Sequence, residues 1–202
     1  MNTIGLLFGS FNPVHIGHLM LADFFVHQGA CSEVWLVVSP QNPLKSPEGL
    51  APESDRLHMT QLAVSGKRRL KVCDIEFSLP RPSYTCVTLE ALRRDYPECQ
   101  FVILMGDDLL EQLPSWKNYR DILAEHTLFV YPRHGIPDTI LPEVAVRVKY
   151  FDAPRMEVSS TQIRAYLANG IRPEHLVPEE VLAYIEKRNL YQPTTNPDRS
   201  RN

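Results

Sequence analysis

The sequence predicts an α/β fold, a mostly parallel sheet with helices on both faces and a small helical part at the C-terminal end. Short apolar runs recur along the chain, each followed by a longer amphipathic stretch, the pattern of stacked β-α-β units. The first run, IGLLF, does not alternate polar with apolar residues, as expected of a strand buried on both faces. The first run also ends in a turn rich in glycine, serine, asparagine and proline that leads straight into a helical stretch.

The elements follow in order. IGLLF (Ile4–Phe8) reads as the first strand and His18–Gln28 as the helix after it. VWLVV (Val34–Val38) is the second strand. It gives way to SPQNPLKSPEGLAP, whose four prolines and one glycine forbid regular structure, a loop of the mobile, functional kind. A helix is expected from about Glu53 to Ser65 and a strand near Leu70–Asp74. Tyr84–Tyr96 has helical periodicity, with Val87, Leu89 and Leu92 apolar and Arg93, Arg94 and Asp95 polar. FVILM (Phe101–Met105) ends in GDD, and TLFVY (Thr127–Tyr131) ends in PRHG. Both read as strands whose carboxyl ends carry ligand-binding loops. A strand around Val146–Phe151 and helices at Ser160–Ala168 and Glu179–Arg188 complete the set. Residues 1–191 read as one domain, and the polar, Pro-rich 192–202 as a disordered tail.

Bulk properties narrow the function. The 202 residues suffice for a core without staples, and the net charge of −3 with no basic run longer than three residues argues against a nucleic-acid partner. The four cysteines form no CxxC pair and the chain starts without a signal-peptide pattern, which suits a reducing cytoplasm. No apolar segment approaches the ~20 residues that cross a bilayer. No metal centre is expected, since His15 and His18 have no evident third ligand beside them.

Chemistry concentrates in FGSFNPVHIGH, Phe8–His18. A strand that turns into a helix here aims the first helical N–H groups over the sheet edge, an anion site. Gly9 permits close backbone approach. Ser10, Asn12 and Pro13 form the rest of the turn, and Gly17 leaves room for the imidazoles of His15 and His18 to face one phosphate chain. The competing structural roles are a turn cap for His15 and core packing for His18. A redox dinucleotide site is discounted because G-x-G-x-x-G is missing after the first strand.

FGSFNPVHIGH resembles the HxGH signature of the nucleotidyltransferase superfamily. Three later stretches resemble elements of bacterial nicotinate-mononucleotide adenylyltransferases: PSYT at Pro82–Thr85, the G-x-D-x7-W spacing of Gly106, Asp108 and Trp116, and SSTQIR at Ser159–Arg164. The resemblance implies a Rossmann-like fold and adenylyl transfer from ATP, with Mg²⁺ carried by ATP, to nicotinate mononucleotide. It implies catalytic roles for His15, His18 and Arg164. ATP contacts would come from Gly9, Ser10, Phe11, Lys45, Gly106, Asp108, Arg133, Ser160 and Thr161, and mononucleotide contacts from Asn12, Tyr84, Thr85 and Trp116. Trp116 offers a π face for the pyridine ring, against a purely structural role as a buried aromatic. Asp108 offers ribose acceptors and could also cap the helix after it. At the start of the helix at Tyr84 and Thr85, backbone N–H groups could meet the pyridine carboxylate or a phosphate, against the structural reading that Ser83 simply caps it. The chain departs from the family where Phe8, Ser10, Asn12 and Leu44 stand in place of glycine, threonine, aspartate and histidine. The alternatives are another phosphate acceptor, such as NMN, or a nucleotide-binding module that does not turn over.

Overall fold

In the computed structural model, which describes residues 2–43, 48–133 and 142–192, all strands lie parallel in one sheet of order β3-β2-β1-β4-β5-β6. They are β1 (Asn2–Gly9), β2 (Glu33–Val38), β3 (Leu70–Cys73), β4 (Cys99–Gly106), β5 (Thr127–Tyr131) and β6 (Val148–Tyr150). β1 sits mid-sheet with β2 on one side and β4 on the other, in registers Leu7↔Leu36 and Leu7↔Leu104. The strand order reverses at this pair, so their carboxyl ends open the crevice where such sheets bind ligands.

Alternate strand residues feed two cores. On one face Leu7, Val34, Leu36, Val102 and Phe129 pack beneath α1 (Ile16–His27), α2 (Glu53–Val64), α6 (Ser160–Ala168) and α7 (Glu179–Lys187). On the other, Ile4, Leu6, Trp35, Phe101, Ile103 and Leu128 pack beneath α3 (Thr85–Asp95), α4 (Tyr119–Glu125) and α5 (Pro142–Ala145). Phe25 of α1 is fully buried and meets Phe151 and Phe129 with ring centroids 5.1 and 6.1 Å apart. Burial of such a side chain is worth about 1.5–3 kcal/mol. Gly5 is required by close packing, since a Cβ there would lie 2.9 Å from Cys31 Sγ.

Most expected elements stand where the sequence puts them. The first helix begins at Ile16 rather than His18, because His15, in extended conformation, is its cap. The strand expected at Val146–Phe151 shortens to Val148–Tyr150 at the sheet edge. The short helices α4 and α5, and single 3-10 turns at Ile75–Ser78, Asp107–Leu109 and Leu113–Ser115, were not anticipated. Seven residues or fewer hold too few turns to show a period. The expected mobile loop lies partly at 44–47 and the expected tail almost wholly at 193–202, outside the described residues. No helix among the described residues is long and apolar enough to cross a membrane.

Candidate active site

β1 ends at Gly9 in a tight turn. A Cβ at Gly9 would lie 2.9 Å from the Phe11 ring. Phe11 itself is left-handed (φ 45°) and the Asn12–Pro13 peptide bond is cis. Beneath the turn lies Arg56 of α2, 1% exposed. Its Nε donates to the Ala51 carbonyl (3.1 Å), Nη1 to those of Ser10 (2.7 Å) and Ser39 (2.8 Å), and Nη2 to that of Pro40 (2.8 Å). One buried guanidinium therefore shapes the chain after β1 and after β2 at once.

The turn delivers two histidines to the start of α1. Their rings stack with centroids 3.7 Å apart and an interplanar angle of 29°, and Phe11 meets His18 edge-on at 5.0 Å. The His15 N–H donates to His18 Nδ1 at 3.2 Å. Gly17 makes the stack possible: a Cβ there would lie 2.8 Å from Val158 and 3.1 Å from His15 Nδ1. Burial, aided by the nearby Arg133 guanidinium, lowers the His15 pKa to about 4. Its Nδ1 is buried without a hydrogen-bond partner among the described residues. His15 is therefore a neutral imidazole at pH 7. The linkage has a definite sign. Between the unfolded value of 6.5 and about 4 the unfolded chain takes up a proton that the folded one refuses, so stability falls as pH falls through that window. The contribution amounts to about 3 kcal/mol at full extent. Urea melts at pH 7 and pH 5 should show His15→Gln losing less stability on acidification than the parent; equal losses would contradict the neutral assignment.

α6 docks on the same turn. Ser159 caps it by accepting from the Gln162 N–H at 3.2 Å, and the Ser160 hydroxyl donates to the Pro13 carbonyl at 2.9 Å. Arg164 donates through Nη1 to the Asn12 carbonyl (2.9 Å) and through Nη2 to the Thr161 hydroxyl (3.3 Å). Two of its five donors are spent this way. Two helix N-termini, two imidazoles and one guanidinium thus surround one turn, an arrangement suited to a chain of phosphates.

The end of β4 adds a second wall. Gly106 has no room for a side chain, since a Cβ would collide with the Asp108 carboxylate and the Arg133 side chain. Asp107 is buried and accepts the Arg133 N–H at 2.9 Å, while Asp108 pairs with the Arg133 guanidinium at 3.2 Å and leaves Oδ1 without a bond among the described residues. The capping expectation for Asp108 is corrected: Gly106 caps the 3-10 turn that contains it.

Tyr84, Thr85 and Trp116 form the third part. Tyr84, not Ser83, caps α3, because its extended backbone (φ −99°, ψ 129°) precedes the first helical residue, Thr85. Lys117 lies over the Tyr84 ring at 4.4 Å, which joins the segment ending at Trp116 to the start of α3. Trp116 packs against the second core with Nε1 buried and without a hydrogen-bond partner among the described residues. Under this corner lies Glu76, 2% exposed, accepting from the Thr88 hydroxyl at 2.8 Å. Burial raises its pKa.

His15, His18, Gly9, Ser10, Phe11, Asn12, Ser160, Thr161 and Arg164 are thus brought together, with Gly106, Asp108 and Arg133 beside them. Lys45 lies outside the described residues. The Asn12 side chain faces inward, 4% exposed and bonded to Gly49, Ala51 and Tyr191. Sequence reasoning missed Arg56, Glu76, Asp107 and Tyr191. For Arg56 a signal existed: Arg56, Met59, Thr60 and Ala63 fall at i, i+3, i+4 and i+7, and all are buried. The other three carry no comparable pattern.

The chain is similar to known proteins along nearly its full length. The family model described as cytidylyltransferase-like matches residues 6–166. A "probable nicotinate-nucleotide adenylyltransferase" of Flavobacterium johnsoniae is 40% identical over 190 residues, covering 94% of this chain and 98% of its own. Its counterpart in Flavobacterium psychrophilum is 42% identical over 191 residues with the same coverage. Among solved structures, nicotinic acid mononucleotide adenylyltransferase of Plasmodium falciparum, complexed with NaAD, superposes with a TM-score of 0.74 at 20% identity, over 95% of this chain and 98% of that one. That last likeness is one of fold.

Proposed function

The chain belongs to the cytidylyltransferase-like family and, within it, to the nicotinate-nucleotide adenylyltransferases, and from that membership we propose that it transfers the adenylyl group of ATP to nicotinate mononucleotide. The mononucleotide's phosphate oxygen attacks the α-phosphorus of ATP as the bond from that phosphorus to the bridging oxygen breaks. Deamido-NAD forms and pyrophosphate leaves, a step of NAD biosynthesis. The observation that carries this reading is the stacked His15–His18 pair sharing one turn with Arg164. In-line transfer needs positioning and charge stabilisation more than a covalent nucleophile.

The roles follow from chemistry. His18 and the neutral His15 donate to the α-phosphoryl oxygens. The remaining Arg164 donors, with Lys45 and Arg133, hold the leaving pyrophosphate; the backbone of Gly9, Ser10 and Phe11 and the α6 start at Ser160 and Thr161 receive the rest of the triphosphate. Asp108, beside Gly106, accepts ribose hydroxyls. N–H groups at Tyr84 and Thr85 meet the pyridine carboxylate, while Asn12 shapes the mononucleotide side of the turn. No group of three His, Cys, Asp or Glu among the described residues is placed to hold a metal ion. We assign Mg²⁺ to the ATP complex itself, where it neutralises phosphate charge. We place the reaction in the cytoplasm, which suits four free cysteines.

Stacking of the pyridine on Trp116 makes a separate prediction. Such stacking is worth roughly 1–3 kcal/mol, so Trp116→Ala should raise KM for the mononucleotide about 5- to 150-fold and leave that for ATP nearly unchanged. Equal effects on both substrates would remove the stacking role. The function itself is tested by pyrophosphate release from ATP and Mg²⁺ with nicotinate mononucleotide, NMN or phosphopantetheine supplied in parallel. Preference for nicotinate mononucleotide is expected. Preference for another acceptor would reassign the substrate, and release with none would leave a nucleotide-binding module.

A further inference from the structure

Beyond α7 the chain turns back toward the site. Asn189 and Tyr191 take left-handed backbone conformations (φ 51° and 62°), and the Leu190 N–H donates to the Ile185 carbonyl at 3.0 Å. The bend carries the Tyr191 hydroxyl to Asn12 Oδ1, to which it donates at 2.8 Å across 179 positions of sequence. A bulky residue rarely adopts this backbone region, and keeps it only where its surroundings hold it. Leu190 and Tyr191 pack on the first core. Burial raises the phenol's pKa, so the hydroxyl remains a donor at neutral pH.

Asn12 is the joint that receives this bond. Its Oδ1 also accepts the Ala51 N–H at 3.0 Å, its Nδ2 donates to the Gly49 carbonyl at 2.8 Å, and its own carbonyl accepts from Arg164 at 2.9 Å. The amide supplies the donor to Gly49 that a carboxylate would lack. Phe11, next to it, is left-handed and touches His18. Whatever fixes Asn12 therefore fixes the backbone on which His15, His18 and Arg164 are arranged.

We propose that Tyr191 is a positioning residue for adenylyl transfer: through Asn12 its hydroxyl holds the turn at residues 10–13 in the shape that aligns the histidine pair and Arg164 on the phosphates. It acts at one remove and touches no substrate. The inference rests on reading that turn as the phosphate-binding element.

Tyr191→Phe tests it, since the change removes one oxygen and keeps the ring in place. In pyrophosphate release with ATP and nicotinate mononucleotide, kcat should fall about five-fold, the size of one hydrogen bond's net worth. ATP affinity, read by calorimetry without an acceptor, should fall by a similar factor. The Tm should fall by a few degrees at most, the worth of the same bond in the fold. Unchanged kcat and ATP affinity would overturn the proposal, as would a lowered Tm with kcat intact, the mark of a packing role alone. If the parent releases no pyrophosphate with nicotinate mononucleotide, the assigned reaction fails and the calorimetric comparison alone decides the role of Tyr191. A parent that binds no ATP overturns both.

Discussion

Replacement of His18 by alanine should cut turnover by ~10²–10³ while leaving the fold in place, the cost of removing one donor from a developing phosphoryl charge. His18 stands in the first turn of α1, and its Nδ1 accepts the His15 N–H. That bond places the ring proton on Nε2, so the imidazole serves as a donor without being charged. Its ring also backs His15 at a 3.7 Å stacking distance, so the substitution removes one donor and loosens another. Stability should change little, because the side chain is only partly buried and alanine favours a helix. Initial rates of pyrophosphate release with a thermal melt of the same sample check both halves. A rate within about ten-fold of the parent would take the role away from His18.

Arg56→Met should be the most destabilising single change near the site. The methionine fills the stem's volume but abandons four backbone carbonyls, those of Ala51, Ser10, Ser39 and Pro40. A buried acceptor left without a partner costs about 1–3 kcal/mol. Even if water reaches some of the four, a loss of at least about 3 kcal/mol is expected, or roughly 10 °C in Tm for a chain of this size. A Tm within about 3 °C of the parent would show that the guanidinium is not holding these loops together. Because three of the acceptors, those of Ser10, Ser39 and Pro40, lie just past the ends of β1 and β2, ATP affinity should fall as well, measured below the lowered Tm.

The fold was legible in the sequence because burial on both faces leaves an unmistakable mark: IGLLF, VWLVV, FVILM and TLFVY each became a strand. The turn we assign to phosphate binding was legible for a different reason, since its glycines and histidines answer to local geometry. Arg56, Glu76 and Tyr191 were not. Each acts across the fold, with partners as far as 46, 12 and 179 positions away, and sequence spacing carries no trace of such a contact. Arg56 shows how this misleads. On a helix wheel an arginine reads as solvated, and only its place on the buried stripe with Met59, Thr60 and Ala63 hints at what lies opposite. The caps at Tyr84 and Gly106 were misassigned for a simpler reason: an eligible side chain stood one or two residues away, and the backbone chose the boundary.

The hydrogen bonds from Ser160 to Pro13 and from Arg164 to Asn12 span 147 and 152 positions. Closing a loop that long costs entropy that only the completed fold returns. A nascent chain that has emerged no further than β5 thus holds one half of the anion site and lacks the other. Nucleotide affinity is consequently a late property of folding, and ATP is a ligand of the finished protein alone. By mass action ATP should then raise the apparent Tm as its concentration climbs past its dissociation constant, a shift set by the affinity of molecules in which that long loop is closed.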